Sequence, residues 1–395
     1  MNIMMVTAMF PPIRTGTAFY SLNLASHLTA RGNRVTVVTI QGDGPSVPFA
    51  VERLAALHFP MKNYFKHLRF TSCFPQNYLR VYQLARRTRA QVILLVNHYL
   101  DIAFPAVVAS RLWRKPLVCS VGTQLQSANP RRDRILNVLD KAICGTAVFP
   151  FCRHVIAWDT EILRYLSEIH GPAVTQKTSI VNFGVNGDPA VFLQHTHDYD
   201  RRGQLLGVGA VTEQRDFIPL VRAFQVIARE FPDQRLKIVG HVYHQAARDL
   251  VRELGLDDRV TFTGELPHER VLAEMQASDA YFVSLSGRYL GLGTATIESM
   301  LLGVPTIANV PSNLLGRAVL GDGEHIILTE GRQPLEVADK IRRILSSRSL
   351  RERVGRGGRQ FISDHLNWGT VAEQMENLLS AIVAPQGSAR PAASR

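Results

Sequence analysis

Cysteine is scarce in this chain: its 395 residues include four, Cys73, Cys119, Cys144 and Cys152, none of them in CxxC or zinc-site spacing. That excludes a disulfide-stapled scaffold, and reduced, mostly buried thiols are expected. Long apolar runs are missing too. Nothing approaches the ~20 consecutive apolar residues that a spanning helix requires, and residues 1–8 run into Pro11 and Pro12 instead of a signal-peptide core, so the expected compartment is the cytoplasm. Acidic residues are the third shortage: 33 Asp and Glu face 45 Lys and Arg, giving a formal net charge of +12. Such a surplus attracts anions, whether nucleic acid, an acidic membrane face or phosphorylated substrates. No helix-turn-helix, zinc-finger or RNA-recognition signature is present, which speaks against nucleic acid.

What the sequence does contain is a repeated alternation of strand and helix, at 46% hydrophobic content and a length sufficient for two cores. The most informative stretch is residues 279–308 (DAYFVSLSGRYLGLGTATIESMLLGVPTIA). Residues 281–284 are apolar enough for a buried parallel strand. Gly287, Gly291 and Gly293 break it, residues 294–302 resume at helical spacing, and Gly303 and Pro305 stop the helix. A strand that enters a helix through glycines points the helix's first N–H groups into a crevice, where those donors and the helix dipole favour a phosphate. Glu298, one turn in, is placed to accept hydrogen bonds from two vicinal ribose hydroxyls. For this loop alone, a buried strand-helix turn with a solvated Glu298 is the competing reading.

Toward the N-terminus, residues 2–8, a helix from Gly16 to Arg31 and a strand over 34–39 form a βαβ unit, with Phe19, Leu22, Leu24, Ala25 and Leu28 facing the sheet. Arg14, Thr15 and Gly16 then sit at the carboxyl end of the first strand, the edge at which open α/β sheets bind ligands. In residues 59–80, Tyr64, Phe65, Phe70 and Phe74 interleave with Lys62, Lys66, Arg69 and Arg80. This segment reads either as a piece that lies in a lipid headgroup layer or as a cleft-lining loop. Strands are expected over 91–96, 116–121 and 154–157, with Asn97 and His98 ending the first, and Arg131, Arg132 and Arg134 form a second basic cluster. His195, His197, Asp198 and Asp200 lie in a polar linker without a strand to fix metal-ligand geometry. From Gln204 the alternation restarts as a second doubly wound sheet, followed by helices expected over 312–320, 334–345 and 370–382. The expected domains are 1–185, 186–368, a C-terminal helix at 369–384 returning to the first domain, and a disordered tail at 385–395.

Several segments together resemble the family 4 (group 1) glycosyltransferases, retaining enzymes of the GT-B fold: PPIRTG, RGNRVTVVT, IVNFGVNGDPAVF, LLGVGAV, VTFTGELPHERV, ASDAYFVSLS and above all GLGTATIESMLLGVPTIA. The resemblance implies two Rossmann-like domains facing across a cleft. The N-terminal one would bind a glycan or lipid-linked acceptor and the C-terminal one a nucleoside diphosphate sugar, without a catalytic metal. It implies a cytoplasmic enzyme of polysaccharide biosynthesis, peripheral on the inner, anionic face of a membrane. Carried over by position, Glu298 is the ribose contact, Gly16 approaches the donor diphosphate and Arg215 neutralises the leaving group, so Arg215 and Glu298 are the expected catalytic residues. Gly209, Arg288, Gly291, Gly293 and Thr294 complete the expected donor site, with Thr296 and Ser299 as further candidate contacts. Three positions depart from the family pattern. Leu290 stands where a glutamate is usual, Ala210 replaces one of two cations, and residues 120–123 (SVGT) lack a histidine that is usual there. These departures keep a catalytically silent GT-B protein open as an alternative, with a sugar-nucleotide epimerase behind it.

Overall fold

The computed structural model describes residues 1–384 apart from Arg14, 41–43, 59–68, Leu100, Gln126, Ala128, 186–196, Gln214 and 286–290. Arg288 and Leu290, both singled out above, and residues 59–68 of the basic-aromatic segment therefore lie outside the described residues.

The first half is a seven-stranded parallel sheet in the order β3-β2-β1-β6-β7-β8-β9, from β1 (Asn2–Val6), β2 (Arg34–Ile40), β3 (Ala50–Leu54), β6 (Val92–Val96), β7 (Leu117–Val121), β8 (Cys152–Ala157) and β9 (Thr178–Ile180). A separate antiparallel pair joins β4 (Leu57–His58) to β5 (Arg69–Phe70). The central strands VILLV and LVCSV are buried at every position. That is expected where crossover helices cover both faces of a sheet, because alternation then disappears. Along β1, Met4 and Val6 enter one core and Ile3 and Met5 the other. The helices are α1 (Gly16–Ala30), α2 (Pro75–Arg87), α3 (Ala103–Trp113), α4 (Pro130–Ala147), α5 (Thr160–His170) and the single turn α6 (Pro172–Thr175).

The second sheet has six parallel strands in the order β12-β11-β10-β13-β14-β15, namely β10 (Gln204–Val208), β11 (Arg235–Val239), β12 (Val260–Gly264), β13 (Ala280–Val283), β14 (Thr306–Ala308) and β15 (Ile327–Leu328). Around it lie α7 (Ile218–Glu230), α8 (Ala246–Glu253), α9 (His268–Gln276), α10 (Thr294–Leu301), α11 (Pro334–Ser346) and α12 (Arg348–His365). The last helix, α13 (Trp368–Val383), buries Trp368, Val371, Ala372, Met375 and Leu379 in the core that α1 shares with the first sheet. Glu376 fixes it there by accepting from Asn33 Nδ2 (2.7 Å) and Arg31 Nε (2.6 Å).

Two sequence expectations are overturned. Residues 312–320 are not a helix but turns closed by a Leu315–Ala318 bridge, with Gly316 at φ +78°. A left-handed glycine ends a helical path rather than continuing it. Conversely α12 was not expected, since its sequence RSLRERVGRGGRQFISDH carries three glycines and glycine in a helix interior costs up to about 1 kcal/mol relative to alanine. Packing explains them: a Cβ on Gly355, Gly357 or Gly358 would collide with the carbonyl oxygens of Gly303, Glu324 and His325 respectively. The glycines let α12 seat backbone against backbone. Cys119, Cys144 and Cys152 are buried free thiols and Cys73 is exposed. Among the described residues no helix is long and apolar enough to cross a membrane.

Candidate functional site

Strand order reverses between β1 and β6 in one sheet and between β10 and β13 in the other. Loops leaving adjacent strands in opposite directions open a crevice at the carboxyl edge, the usual ligand position in such sheets. The two edges meet. Thr160, just past β8, donates its N–H to the carbonyl of Leu314 (2.9 Å), beyond β14. Asp159 Oδ2 lies 3.0 Å from where a Cβ on Gly291 would sit, so the loop after β13 reaches the opposite domain.

The site begins where β10 ends. Gly209 has φ +135°, and a Cβ there would strike the Arg215 guanidinium. Glycine is required on both counts. The Arg215 backbone is held by Thr212, whose Oγ1 accepts from Arg215 N (3.0 Å). Its Nη2 lies 3.9 Å from the Cβ position of Gly293, which caps α10 without any side-chain hydrogen bond. A guanidinium thus sits beside an uncapped helix start at Gly293 and Thr294. Both present positive potential toward the same space. Arg215 Nε is buried without a hydrogen-bond partner among the described residues.

One turn into α10, Glu298 is 7% exposed and its Oε1 lies 3.0 Å from His268 Nε2 at the start of α9. Burial pushes its carboxyl above the ordinary glutamate range, while His268 pulls it back. Sequence reasoning missed His268. The available signal was its position in PHER, a histidine in the first turn of a helix that neighbours the glycine loop. Thr296 and Ser299 are buried inside the fold: Ser299 Oγ donates to the Thr296 carbonyl (2.9 Å) and shares a hydrogen bond with Thr306 Oγ1 (2.8 Å). They are therefore packing residues, not ligand contacts. Gly16 opens α1 behind a Thr15 cap, with no atom within 4 Å of its Cβ position. It borders open space at the end of β1. Removal of the Glu298 carboxylate should weaken nucleotide binding by roughly 1.5–3 kcal/mol, the usual worth of a hydrogen bond to a charged group. Calorimetry of Glu298→Ala against nucleoside diphosphates checks this, and unchanged affinity would remove the ribose contact.

Asp159 is the other buried carboxyl at the cleft, capping α5 by accepting from Ile162 N (2.7 Å). Burial pushes it up to about 6, helped by the charge of Glu161 and opposed by the Ile162 and Glu161 amides. Because the folded-state value lies above the unfolded one, the native state holds the extra proton between roughly pH 4 and 6, and stability falls as pH rises through that window. Asp159→Asn keeps a good cap. It should match wild type near pH 4 and exceed it by up to about 3 kcal/mol at pH 7. Parallel denaturation curves of the two proteins across this range would show instead that Asp159 titrates as an ordinary carboxyl.

The histidines singled out from the sequence fall elsewhere. His98 does not face the cleft but is 1% exposed, packed on Phe149 and Tyr165. In the linker, His195 lies outside the described residues, His197 is buried, and Asp198 and Asp200 pair with Arg202 and Arg348. Of the basic residues, Arg80 pairs with Glu52 (3.5 Å). Arg131, Arg132 and Arg134 are exposed at the start of α4, whose outer face is unusual. Ile135, Val138, Leu139 and Ile143 are between 47% and 62% exposed, while the inner face buries Asp140 and Cys144. The helix is amphipathic with its apolar side toward solvent.

Comparison with known proteins fits this geometry. Residues 14–189 match the family described as Glycosyltransferase Family 4 and residues 194–361 the family described as Glycosyl transferases group 1. The chain is 29% identical over 166 residues to the GDP-mannose-dependent alpha-(1-6)-phosphatidylinositol monomannoside mannosyltransferase of Mycobacterium tuberculosis, a stretch that covers 40% of this chain and 43% of that relative. It thus spans less than half the length of that relative. The glycogen synthase of the same organism is 23% identical over 99% of this chain and 97% of its own length. Among solved structures, HepE of Anabaena in complex with UDP superimposes with a TM-score of 0.71 at 16% identity, covering 96% of this chain and 99% of its own. Sucrose-phosphate synthase of Thermosynechococcus elongatus gives 0.69 at 19%, covering 96% and 98%. With two family matches that together span residues 14–189 and 194–361 on a pair of facing parallel sheets, the chain belongs to the group 1, family 4 glycosyltransferases and has the GT-B fold.

Proposed function

We propose that this protein is a retaining glycosyltransferase that moves a hexose from a nucleoside diphosphate sugar to a glycan or lipid-linked acceptor at an anionic membrane face. The observation that carries the reading is the Arg215 guanidinium seated on Gly209 beside the uncapped start of α10. Charge on a diphosphate grows as its glycosidic bond breaks. Donors already aimed at that charge stabilise the transition state more than the ground state. Arg215 supplies a bidentate fork and α10 its unpaired amides. Glu298 would hold the ribose, with His268 fixing its carboxylate, and Gly16 would let the backbone of the other domain approach the diphosphate. The departing phosphate can itself take the acceptor's proton, so the absence of a histidine in residues 120–123 does not remove the base. Gly291 and Thr294 are assigned to the donor pocket on the resemblance of their motif, and Arg288 as a cation of the enlarged SGRYLG loop that would rebuild it.

Support for the donor class comes from a neighbouring structure of the same fold, HepE, described in complex with UDP-glucose. Support for a membrane-borne acceptor comes from α4, where cations flank an apolar stripe. Ala210, in place of a usual cation, keeps the silent protein as the second reading. A calorimetric panel of nucleoside diphosphates and their sugars, followed by a transfer assay with NMR of the product anomer, separates the two. Retained anomeric configuration and turnover support the proposal. Nucleotide binding with neither transfer nor donor hydrolysis would favour the silent protein.

A further inference from the structure

Beneath the end of β6, away from the cleft, polar side chains from three elements converge in an otherwise apolar core: His98, Asp140 on α4, and Tyr165 and His170 on α5. His98 Nε2 lies 3.2 Å from Asp140 Oδ1 and 3.4 Å from Oδ2, and His170 Nε2 lies 3.1 Å from Oδ2. Tyr165 Oη is 3.0 Å from His98 Nε2 and 3.5 Å from His170 Nε2, and it also contacts Asp140 Oδ2. The side chains of His98, Asp140 and His170 are wholly excluded from solvent. Phe149 closes over both imidazoles at ring-centre distances of 5.0 and 4.5 Å.

We propose that this cluster is a structural site for one divalent transition-metal ion of the zinc class, bound by His98 Nε2, His170 Nε2 and an Asp140 oxygen, with Tyr165 Oη on the fourth side. Three observations carry it. The first is spacing: tetrahedral bonds of about 2.0–2.1 Å put neighbouring ligand atoms about 3.3–3.4 Å apart, and the separations of the two histidine Nε2 atoms from Asp140 Oδ2, 3.4 and 3.1 Å, lie close to that value. The second is uneven hydrogen bonding. His170 Nε2 and Tyr165 Oη are both on Oδ2 of Asp140 and His98 Nε2 lies between its two oxygens, while among the described residues no hydrogen bond falls on Oδ1, which His98 Nε2 approaches to 3.2 Å. A carboxylate has about four lone-pair positions over two oxygens and is ordinarily shared more evenly. Both Nδ1 atoms are likewise without partners, so whatever orients the two rings acts at Nε2. The third is charge. Among the described residues no lysine or arginine pairs with Asp140, and an isolated buried carboxylate is costly unless a cation or metal answers it. Borderline nitrogen and oxygen ligands suit zinc rather than calcium or magnesium. Because the site is closed, the ion would enter with folding and pin the end of β6 to α4 and α5. The start of α5 carries Asp159 to the cleft.

The test is the metal content of the full, untagged chain purified without chelator, before and after unfolding in denaturant with chelator and refolding with Zn2+ or Co2+. Roughly one equivalent per chain is expected, as for a site coupled to folding, together with visible tetrahedral Co2+ bands after refolding. His170→Ala and Asp140→Asn should abolish both, and Cys144→Ser should change neither. Trace metal only in wild type, as purified and after refolding with either ion, overturns the proposal in favour of a proton-sharing hydrogen-bond cluster. That measurement needs no variant to fold. Undiminished metal in a folded His170→Ala protein also overturns it, since the ion then sits elsewhere.

Discussion

Replacing Arg215 with alanine should cut sugar transfer by about 100- to 1,000-fold, the loss that follows removal of one preorganised donor to a developing oxyanion. Donor affinity should fall far less. On the proposed reading the ground-state diphosphate would keep the amides of α10 and the ribose would keep Glu298, whereas the extra charge that forms as the bond breaks would lose its nearest cation. Arg215→Lys should recover part of the rate, because a point charge returns without the planar fork. The change should not unfold the domain, since Arg215 packs against the Gly209 backbone and outside the main core cluster. Steady-state kinetics with separate donor binding checks the split. Wild-type turnover in the alanine variant would reduce Arg215 to a surface cation.

Serine at Ile135, Val138, Leu139 and Ile143 together should release the protein from anionic vesicles. These side chains are about half exposed, so each stands to bury about 1 kcal/mol of further apolar surface. Four of them amount to about 4 kcal/mol, or roughly a thousandfold in partition. Arg131, Arg132, Arg134 and Lys141 flank the stripe, and cations near an acidic surface add about 1 kcal/mol each, which salt should screen. Stability should change less than for core residues, because these side chains are about half exposed. Co-sedimentation with phosphatidylserine vesicles at low and high salt provides the readout. Equal partition of the variant and wild type would mean that the apolar face of α4 is not a membrane surface.

The basic-aromatic segment over 59–80, the first candidate for this role, is described only from Arg69 onward, where it forms β5 and the start of α2, and Arg80 forms an ordinary ion pair with Glu52. α4 was legible only as a helix after a basic cluster. Its periodicity says that one side is apolar, and a globular protein normally turns that side inward. Which side faces solvent depends on Asp140 and Cys144 being claimed by β6 and α5, a fact of packing.

The sequence by itself determined the alternation of strands and helices, the doubly wound class and the glycine loop that opens α10. These follow from local chemistry: continuous apolar runs bury as parallel strands, and glycine alone tolerates positions such as 209, with φ +135°. It made Glu298 a candidate by its place one turn past such a loop, and Arg215 only through the resemblance to the family. It did not determine the His268 contact to Glu298, which joins residues 30 apart, nor the approach of Asp159 to Gly291 across two domains. It also hid α12, whose glycines lower helix propensity and are repaid only when three carbonyls of other segments come close. Nor did it foresee the joining of His98, Asp140, Tyr165 and His170. Local propensity acts over a few residues, whereas these contacts exist only after two sheets have closed on their helices. Burial and spacing in the folded chain then decide which polar groups meet.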